Sequence, residues 1–341
     1  MSESHDPASD SMTTDNAARQ ENKHQGAAVK AALGANIGVA IAKLLAASFF
    51  TGSSAMLSES VHSIADCSNE IVLMAGGRFS KRKTDGDHPF GLYRAKYLAS
   101  FVVATLLFFV GGFFSTSEAV KKLISLAGDP ALRDVNQMEL LVAFAVVVIS
   151  ACLEGYGLHQ SIKEANERME RTNTPRMGVF RFWRHTKSAE LASVIMEDTL
   201  ALIGLAFAGL GIGLAIALDN EIFDALGGLM VGLVLIVGSL LLAFKSGSLL
   251  IGEAVEPDTR RKIVEAVTTT PGVERLLNMQ TVHMSEDDIL LCVKVQTSKL
   301  DRDYDVETVD KIEKAVRGAL PWYSFEIYVE PDIYSAKHVH A

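Results

Sequence analysis

The stretch SESVHSIADCSNE places Ser58, Glu59, His62, Asp66, Asn69 and Glu70 in a run that otherwise reads as membrane helix. His62 and Asp66 are four residues apart, so on a helix their side chains stack on one face and can grip a single ion. Glu59 extends that stripe in one direction, Asn69 or Glu70 in the other. A second apolar run, ASVIMEDTLALIG, carries Glu197 and Asp198 as its only acids. A charged residue at the centre of a bilayer costs about 2.5–3.5 kcal/mol on insertion scales, so it faces the bundle interior and has a partner at similar depth. One imidazole with two or three carboxylates makes a four-coordinate set suited to a divalent transition metal. The plainer alternative is a His62–Asp66 hydrogen bond that pins two helices together. Asn36 is either a ligand from a third helix or an interhelical hydrogen bond. Lys43 reads as a snorkelling residue with no role, and Glu118 and Glu154 as interfacial carboxylates.

The elements that must position these residues are transmembrane helices. In 341 residues the mean hydropathy is +0.22 and 49% of residues are hydrophobic, yet 21% are charged, so the apolar character is concentrated in segments. Six segments, 29–50, 55–77, 97–120, 138–158, 190–218 and 223–244, approach or exceed the roughly 20 apolar residues that span a bilayer. The connection after the second carries Arg78, Lys81, Arg82, Lys83, Arg94 and Lys96, and the one after the fourth is also rich in arginine. The positive-inside rule then puts both connections and both termini in the cytoplasm. Residues 1–27 read as a disordered cytoplasmic tail and 28–247 as a six-helix transmembrane domain, with 335–341 as a second tail. The N-terminus lacks the Arg-rich, acid-poor character of a transit peptide, which favours a bacterial inner membrane. A net charge of −9 argues against nucleic acid as a partner. Cys67, Cys152 and Cys292 form no CxxC pair and read as buried thiols.

Residues 252–334 change character: an amphipathic helix, two β-rich runs around the turn SEDD, a second amphipathic helix and a final strand. This α-β-β-α-β order predicts a small α+β cytoplasmic domain, with a helix pair on one face of an antiparallel sheet. His283, with Glu286, Asp287 or Asp288, either binds a regulatory metal there or is a hairpin-end histidine beside a solvated acidic turn.

Taken together, HSIAD, DGDHPFGLYRAKY, EDTLALIG and the terminal α+β domain resemble the cation diffusion facilitators over residues 28 to 332. The likeness is to the zinc branch that includes the mitochondrial zinc exporter of animals. It implies a polytopic α-helical membrane protein with six transmembrane helices, followed by a ferredoxin-like, metallochaperone-like cytoplasmic domain. It also implies a homodimer. The family pairs an H/D-x-x-x-D motif on its second helix with another on its fifth. The carry-over gives His62, Asp66 and Asp198, while Val194 stands where many zinc transporters have histidine. Glu197 replaces that ligand from a neighbouring angle, or water, Asn36 or another carboxylate does. The resulting site is oxygen-rich, with zinc the first choice and manganese, iron and cobalt also admitted. A second family site maps to Asp85 and His88, but its usual third histidine falls on Leu92, and a Pro- and Gly-fixed turn is the alternative reading.

The function expected is export of a divalent cation from the cytosol in exchange for protons by alternating access, with no bound cofactor. Two rivals are a metal sensor or scaffold that binds without transport and an intramembrane metalloenzyme. The sequence contains no HExxH or comparable catalytic signature for the second.

Overall fold

In lipid only a helix satisfies every backbone N–H and C=O within its own segment, so the long apolar runs of this chain become helices. The computed structural model describes residues 37–38, 40–45, 53–82, 86–129, 136–172, 174–298 and 302–332. The two tails, Asn36, Asp85 and parts of the first expected span lie outside those residues. Helix α1 covers residues 37–38 and 40–45, and α2 is Ser54–Ser80. The helices α3 (Ala95–Gly128), α4 (Gln137–Arg171), α6 (Ala189–Leu218) and α7 (Ile222–Ile251) are long and apolar enough to cross a membrane. With 27 residues α2 is long enough to do the same, but its polar face keeps it out of that apolar set. The described residues therefore give four apolar spans and one polar helix of spanning length.

Several helices outrun the expected segments. Helix α3 continues to Gly128 rather than ending near 120, so Lys121 and Lys122 sit on a helix and the following connection is shorter than expected. Helix α4 continues to Arg171 rather than 158, and α7 to Ile251 rather than 244. A hydropathy window ends where charges begin, but a helix propagates into water when its side chains pair along the surface. Lys163 and Glu167 do so on α4, and Glu118 with Lys121 on α3, at 3.9 and 2.6 Å. A short helix that the sequence reading lacked, α5 (Val179–His185), buries Phe182 and Trp183 before α6 begins.

Small residues bring the helices together. A Cβ on Gly211 of α6 would lie 2.8 Å from the Cα of Gly227 on α7, so the two backbones touch there. Mid-way along α3, Leu107–Phe113 forms a π-helical segment, and its Gly112 meets the backbone of Ile236 on α7. Outward, Phe109, Phe113, Ile149, Tyr156, Leu210, Val237 and Phe244 are each more than half exposed. An apolar belt of that extent suits hydrocarbon rather than water.

Gly252, at φ +125°, ends α7 in a conformation that favours glycine and turns the chain into a small domain. There α8 (Pro257–Thr268), β1 (Val273–His283), β2 (Asp288–Thr297), α9 (Arg302–Ala319) and β3 (Ser324–Pro331) follow in the expected order. The sheet order is β1-β2-β3. Its pairing corrects the expectation of a purely antiparallel sheet: β1 and β2 are antiparallel, but β2 and β3 are parallel, with Leu291 opposite Ile327. The reason is the helix α9 between β2 and β3, a crossover that returns the chain to the same end of the sheet. Ile263, Val267, Ile312 and Val316 of the helices share one core with Ile289, Leu291, Val293 and Val295 of β2. Cys292 faces away from that core and is exposed, as is Cys152 on α4; only Cys67 is the buried thiol expected.

This domain docks on the bundle through charges. Glu286 in the β1–β2 turn lies 3.1 Å from Lys96 at the start of α3 and 3.5 Å from Arg168 near the end of α4. Arg168 also reaches Asp287 at 2.8 Å, and Lys187 reaches Glu253 at 2.6 Å. Burial raises the Glu286 carboxyl, but Arg168 and Lys96 outweigh it and hold the group below its ordinary range. A depressed carboxyl contributes stability above its unfolded value, near 4.5, and loses it as pH falls through the folded value. Hydrogen-exchange protection in the 284–287 turn, measured relative to the intrinsic rate at each pH, is therefore expected to hold from neutrality to about pH 5 and to fall below that. Glu286→Gln should show the reduced protection already at pH 7.

Candidate functional site

The polar face of α2 follows from helical spacing. Glu59, His62, Asp66 and Asn69 lie on one stripe, with Ser63 and Glu70 beside it. Ser53 starts the helix as its N-cap, accepting the Met56 N–H at 3.1 Å. Opposite stands α6, whose Glu197 and Asp198 are adjacent in sequence and about 100° apart around the helix, so they face different neighbours. Glu197 lies near Asp66 and Glu70, whereas Asp198 turns towards α4, where the Ser161 hydroxyl donates to it at 2.8 Å. Gly157 on α4 leaves room for the Asp198 carboxylate, which sits within 3.7 Å of where a Cβ would be.

These groups ring a cavity of about 90 Å³ lined by Ser63, Asp66, Glu70, Glu154, Val194, Glu197 and Asp198. Five of the seven lining residues are carboxylic acids inside a helix bundle. His62 is 1% exposed, and its Nε2 is 3.5 Å from Asp66 Oδ2. Both His62 nitrogens, Asp66 Oδ1, Glu59 Oε2 and Glu197 Oε1 are buried without a hydrogen-bond partner. Orphaned buried acceptors in such number are costly unless a cation serves them. Among the described residues, no three His, Cys, Asp or Glu side chains converge closely enough to hold a metal ion between them. The carboxylates enclose a space rather than a preformed coordination sphere.

Two residues set aside in the sequence reading belong here. Glu154, expected at an interface, lines the cavity from the midpoint of α4, because that helix is longer than the hydropathy window implied. Lys43, expected to snorkel, is 1% exposed and donates to Glu59 Oε1 at 3.0 Å and Ser63 Oγ at 2.8 Å. A signal for Glu154 was present in the sequence, since the small residues Gly155 and Gly157 follow it and allow close helix approach there.

Comparison with known proteins identifies the helical part of the chain. Residues 29–251 match the Cation efflux transmembrane domain. The chain belongs to the cation efflux family, the cation diffusion facilitators. Its similarity lies with the zinc branch. The proton-coupled zinc antiporter SLC30A9 of Xenopus laevis, a mitochondrial protein, is 28% identical over 265 residues, covering 78% of this chain and 44% of that protein. Metal tolerance protein C4 of Arabidopsis thaliana is 26% identical over 68% of this chain and 48% of its own length. The cation-efflux pump FieF of Escherichia fergusonii is 23% identical over 83% of this chain and 85% of its own. The chain thus spans less than half the length of its vertebrate relatives.

Of the other sites expected, His88 is exposed in a turn whose carbonyl accepts the Gly91 N–H at 2.9 Å, and Asp85 lies outside the described residues. His283 is fully buried, not at a solvated hairpin end. Its Nδ1 meets the Ser285 carbonyl at 3.1 Å, and its Nε2 faces Glu256 at 3.8 Å. Burial alone would raise the Glu256 carboxyl, but His283 and Lys187 hold it below its usual value. The structure does not bring His283 together with the three turn acids: Glu286 and Asp287 pair with Arg168, and Asp288 accepts from Ser285.

Along α2, Asp66 is 21% exposed against 1% for Ser58 and Glu59, and Glu154 on α4 is 24% exposed. With the three native cysteines replaced by serine, Glu70→Cys is expected to react with a membrane-impermeant maleimide applied on the side of the C-terminal domain. Ser58→Cys should react more slowly than Glu70→Cys; faster reaction at Ser58 from the opposite side would mean that the bundle rests open the other way.

Proposed function

We propose that this cation efflux protein is a secondary active transporter that exports a divalent transition metal from the cytosol in exchange for protons, with zinc as its first substrate. The observation that carries the reading is the ring of five carboxylates around an intramembrane cavity, with His62 beside it. His62, Asp66, Glu197 and Asp198 are the proposed ligands, and Glu70 and Glu154 complete the acidic lining. Val194 lines the same cavity where a histidine would add nitrogen, so the site is oxygen-rich and manganese, iron and cobalt are competing substrates. The name of the amphibian relative, a proton-coupled zinc antiporter, supports zinc and protons as the exchanged pair.

Such a site couples metal to protons through its own chemistry. Carboxylates and imidazole bind metal only when deprotonated, so loading a cation expels protons and protonation expels the cation. Alternating access needs a seal on each side in turn. On the side away from the C-terminal domain, Ser53 donates to Asp224 at 2.5 Å, and Lys122 reaches Asp224 at 3.0 Å and Glu221 at 3.1 Å. These bonds join the starts of α2 and α7 to the last turns of α3. In this reading the opposite side is cytoplasmic, as the basic residues of the α2–α3 connection and of α5 suggest. The protein then sits in a bacterial inner membrane with both termini in the cytoplasm and works as a homodimer through its C-terminal domain.

Proteoliposomes with an imposed pH gradient test the proposal. Gradient-dependent uptake of zinc, compared with manganese, iron and cobalt, is expected in the wild type and should fall to the protein-free level in Asp66→Ala and in Asp198→Ala. Flux retained in both variants would overturn the site. Metal binding without flux in the wild type would make the protein a sensor instead.

A further inference from the structure

Lys43 is an unusual residue to find beside a cavity built for cations. The described face of α1 turns Ala40 and Lys43 inward while Ile37, Ile41, Leu44 and Leu45 face out, so the ammonium is aimed into the bundle by helical phase. It sits 3.0 Å from Glu59 and 3.8 Å from Glu154 Oε1, and it donates to Ser63 at 2.8 Å. Ser63 and Glu154 both line the carboxylate cavity. Glu154 therefore has two faces: one towards the ammonium of Lys43, the other towards the space shared by Asp66, Glu197 and Asp198.

We propose that Lys43 is a tethered cation that stands in for the cargo, holding Glu154 while the cavity is empty and ceding it when a divalent metal enters. This inference rests on the cavity's being the transport site. Three observations separate it from a merely structural ion pair. The ammonium has a second carboxylate within reach beyond the Glu59 that would suffice to neutralise it. Its third contact, Ser63, is itself a wall of the cavity. Glu59 Oε2 remains without a hydrogen-bond partner, so that pair leaves acceptor capacity open beside the ammonium. A fixed positive charge here weakens metal binding by repulsion, because like charges in a low-dielectric interior are poorly screened. A carrier benefits from that weakening, since cargo that binds too tightly does not leave. The internal cation also keeps Glu154 partnered while the helices move back.

The experiment measures zinc affinity by calorimetry in purified full-length protein at one fixed pH, and zinc flux in proteoliposomes, for wild type, Lys43→Met, Lys43→Arg and Asp66→Asn. The proposal expects Lys43→Met to bind zinc about tenfold more tightly, equivalent to about 1.4 kcal/mol, while its maximal flux falls at least tenfold. Lys43→Arg, which keeps the charge, should retain wild-type affinity and a substantial part of the flux. If Lys43→Met does not fold because Glu59 is left buried and unpaired, the double variant Lys43→Met/Glu59→Gln removes the orphaned charge and carries the same expectation. Unchanged or weaker zinc affinity in a folded variant lacking Lys43 overturns the inference. Loss of binding in Asp66→Asn alongside that result would leave the transport site standing, whereas unaltered binding in Asp66→Asn would remove the site reading itself.

Discussion

Burying carboxylates in a bundle surrounded by lipid is the constraint on which the rest of this structure depends. A buried ion is tolerated only when paired or served by another cation, and α2 alone brings Glu59, Asp66 and Glu70 into the membrane. The surrounding helices answer that demand from different directions. Lys43 comes from α1, Ser161 and Glu154 from α4, and the acids Glu197 and Asp198 from α6 raise the demand further. Hydrophobic association does not drive helices together in lipid, so close backbone contact must. The glycine contacts between α6 and α7, and between α3 and α7, provide it.

The same helices that line the cavity also hold the C-terminal domain. Helix α4 carries Glu154 at the cavity and Arg168 at the docking surface, fourteen residues along one continuous helix, or about 21 Å. Helix α6 carries Asp198 and begins just after Lys187, which pairs with Glu253 and Glu256. Helices α4 and α6 therefore connect the cavity directly to the charged contacts of Glu286, Glu253 and Glu256. Those contacts are polar and partly exposed, the kind of interface that re-forms in a second arrangement without breaking a packed core.

Much of this was legible in the sequence. Apolar periodicity identified the four apolar spans and α2, amphipathic periodicity the α-β-β-α-β order, and the i,i+4 spacing of His62 and Asp66 found one wall of the cavity. The adjacent acids Glu197 and Asp198 found a second. What escaped was decided by length and by partners distant in sequence. Glu154 looked interfacial only because a hydropathy window closes at the first charged turn, whereas α4 runs on to Arg171. The role of Lys43 depends on Glu59 and Ser63, sixteen and twenty residues away on another helix, and no local pattern encodes that pairing. The parallel β2–β3 pair was missed because strand direction is set by the crossover through α9, not by the composition of the strand. His283 read as a hairpin-end residue beside a solvated turn, yet Glu286 and Asp287 pair with Arg168 and the imidazole lies fully inside.

The central claim is that the acidic cavity between α2, α4 and α6 is where the metal resides in transit. X-ray absorption at the zinc edge, on purified protein loaded with one equivalent of zinc, tests it most directly. The account predicts a first shell dominated by oxygen at about 2.0–2.2 Å, with at most one imidazole and no sulfur, and its disappearance in Asp66→Asn. A shell with several imidazoles or a thiolate, or one unchanged by Asp66→Asn, would put the metal elsewhere and contradict it.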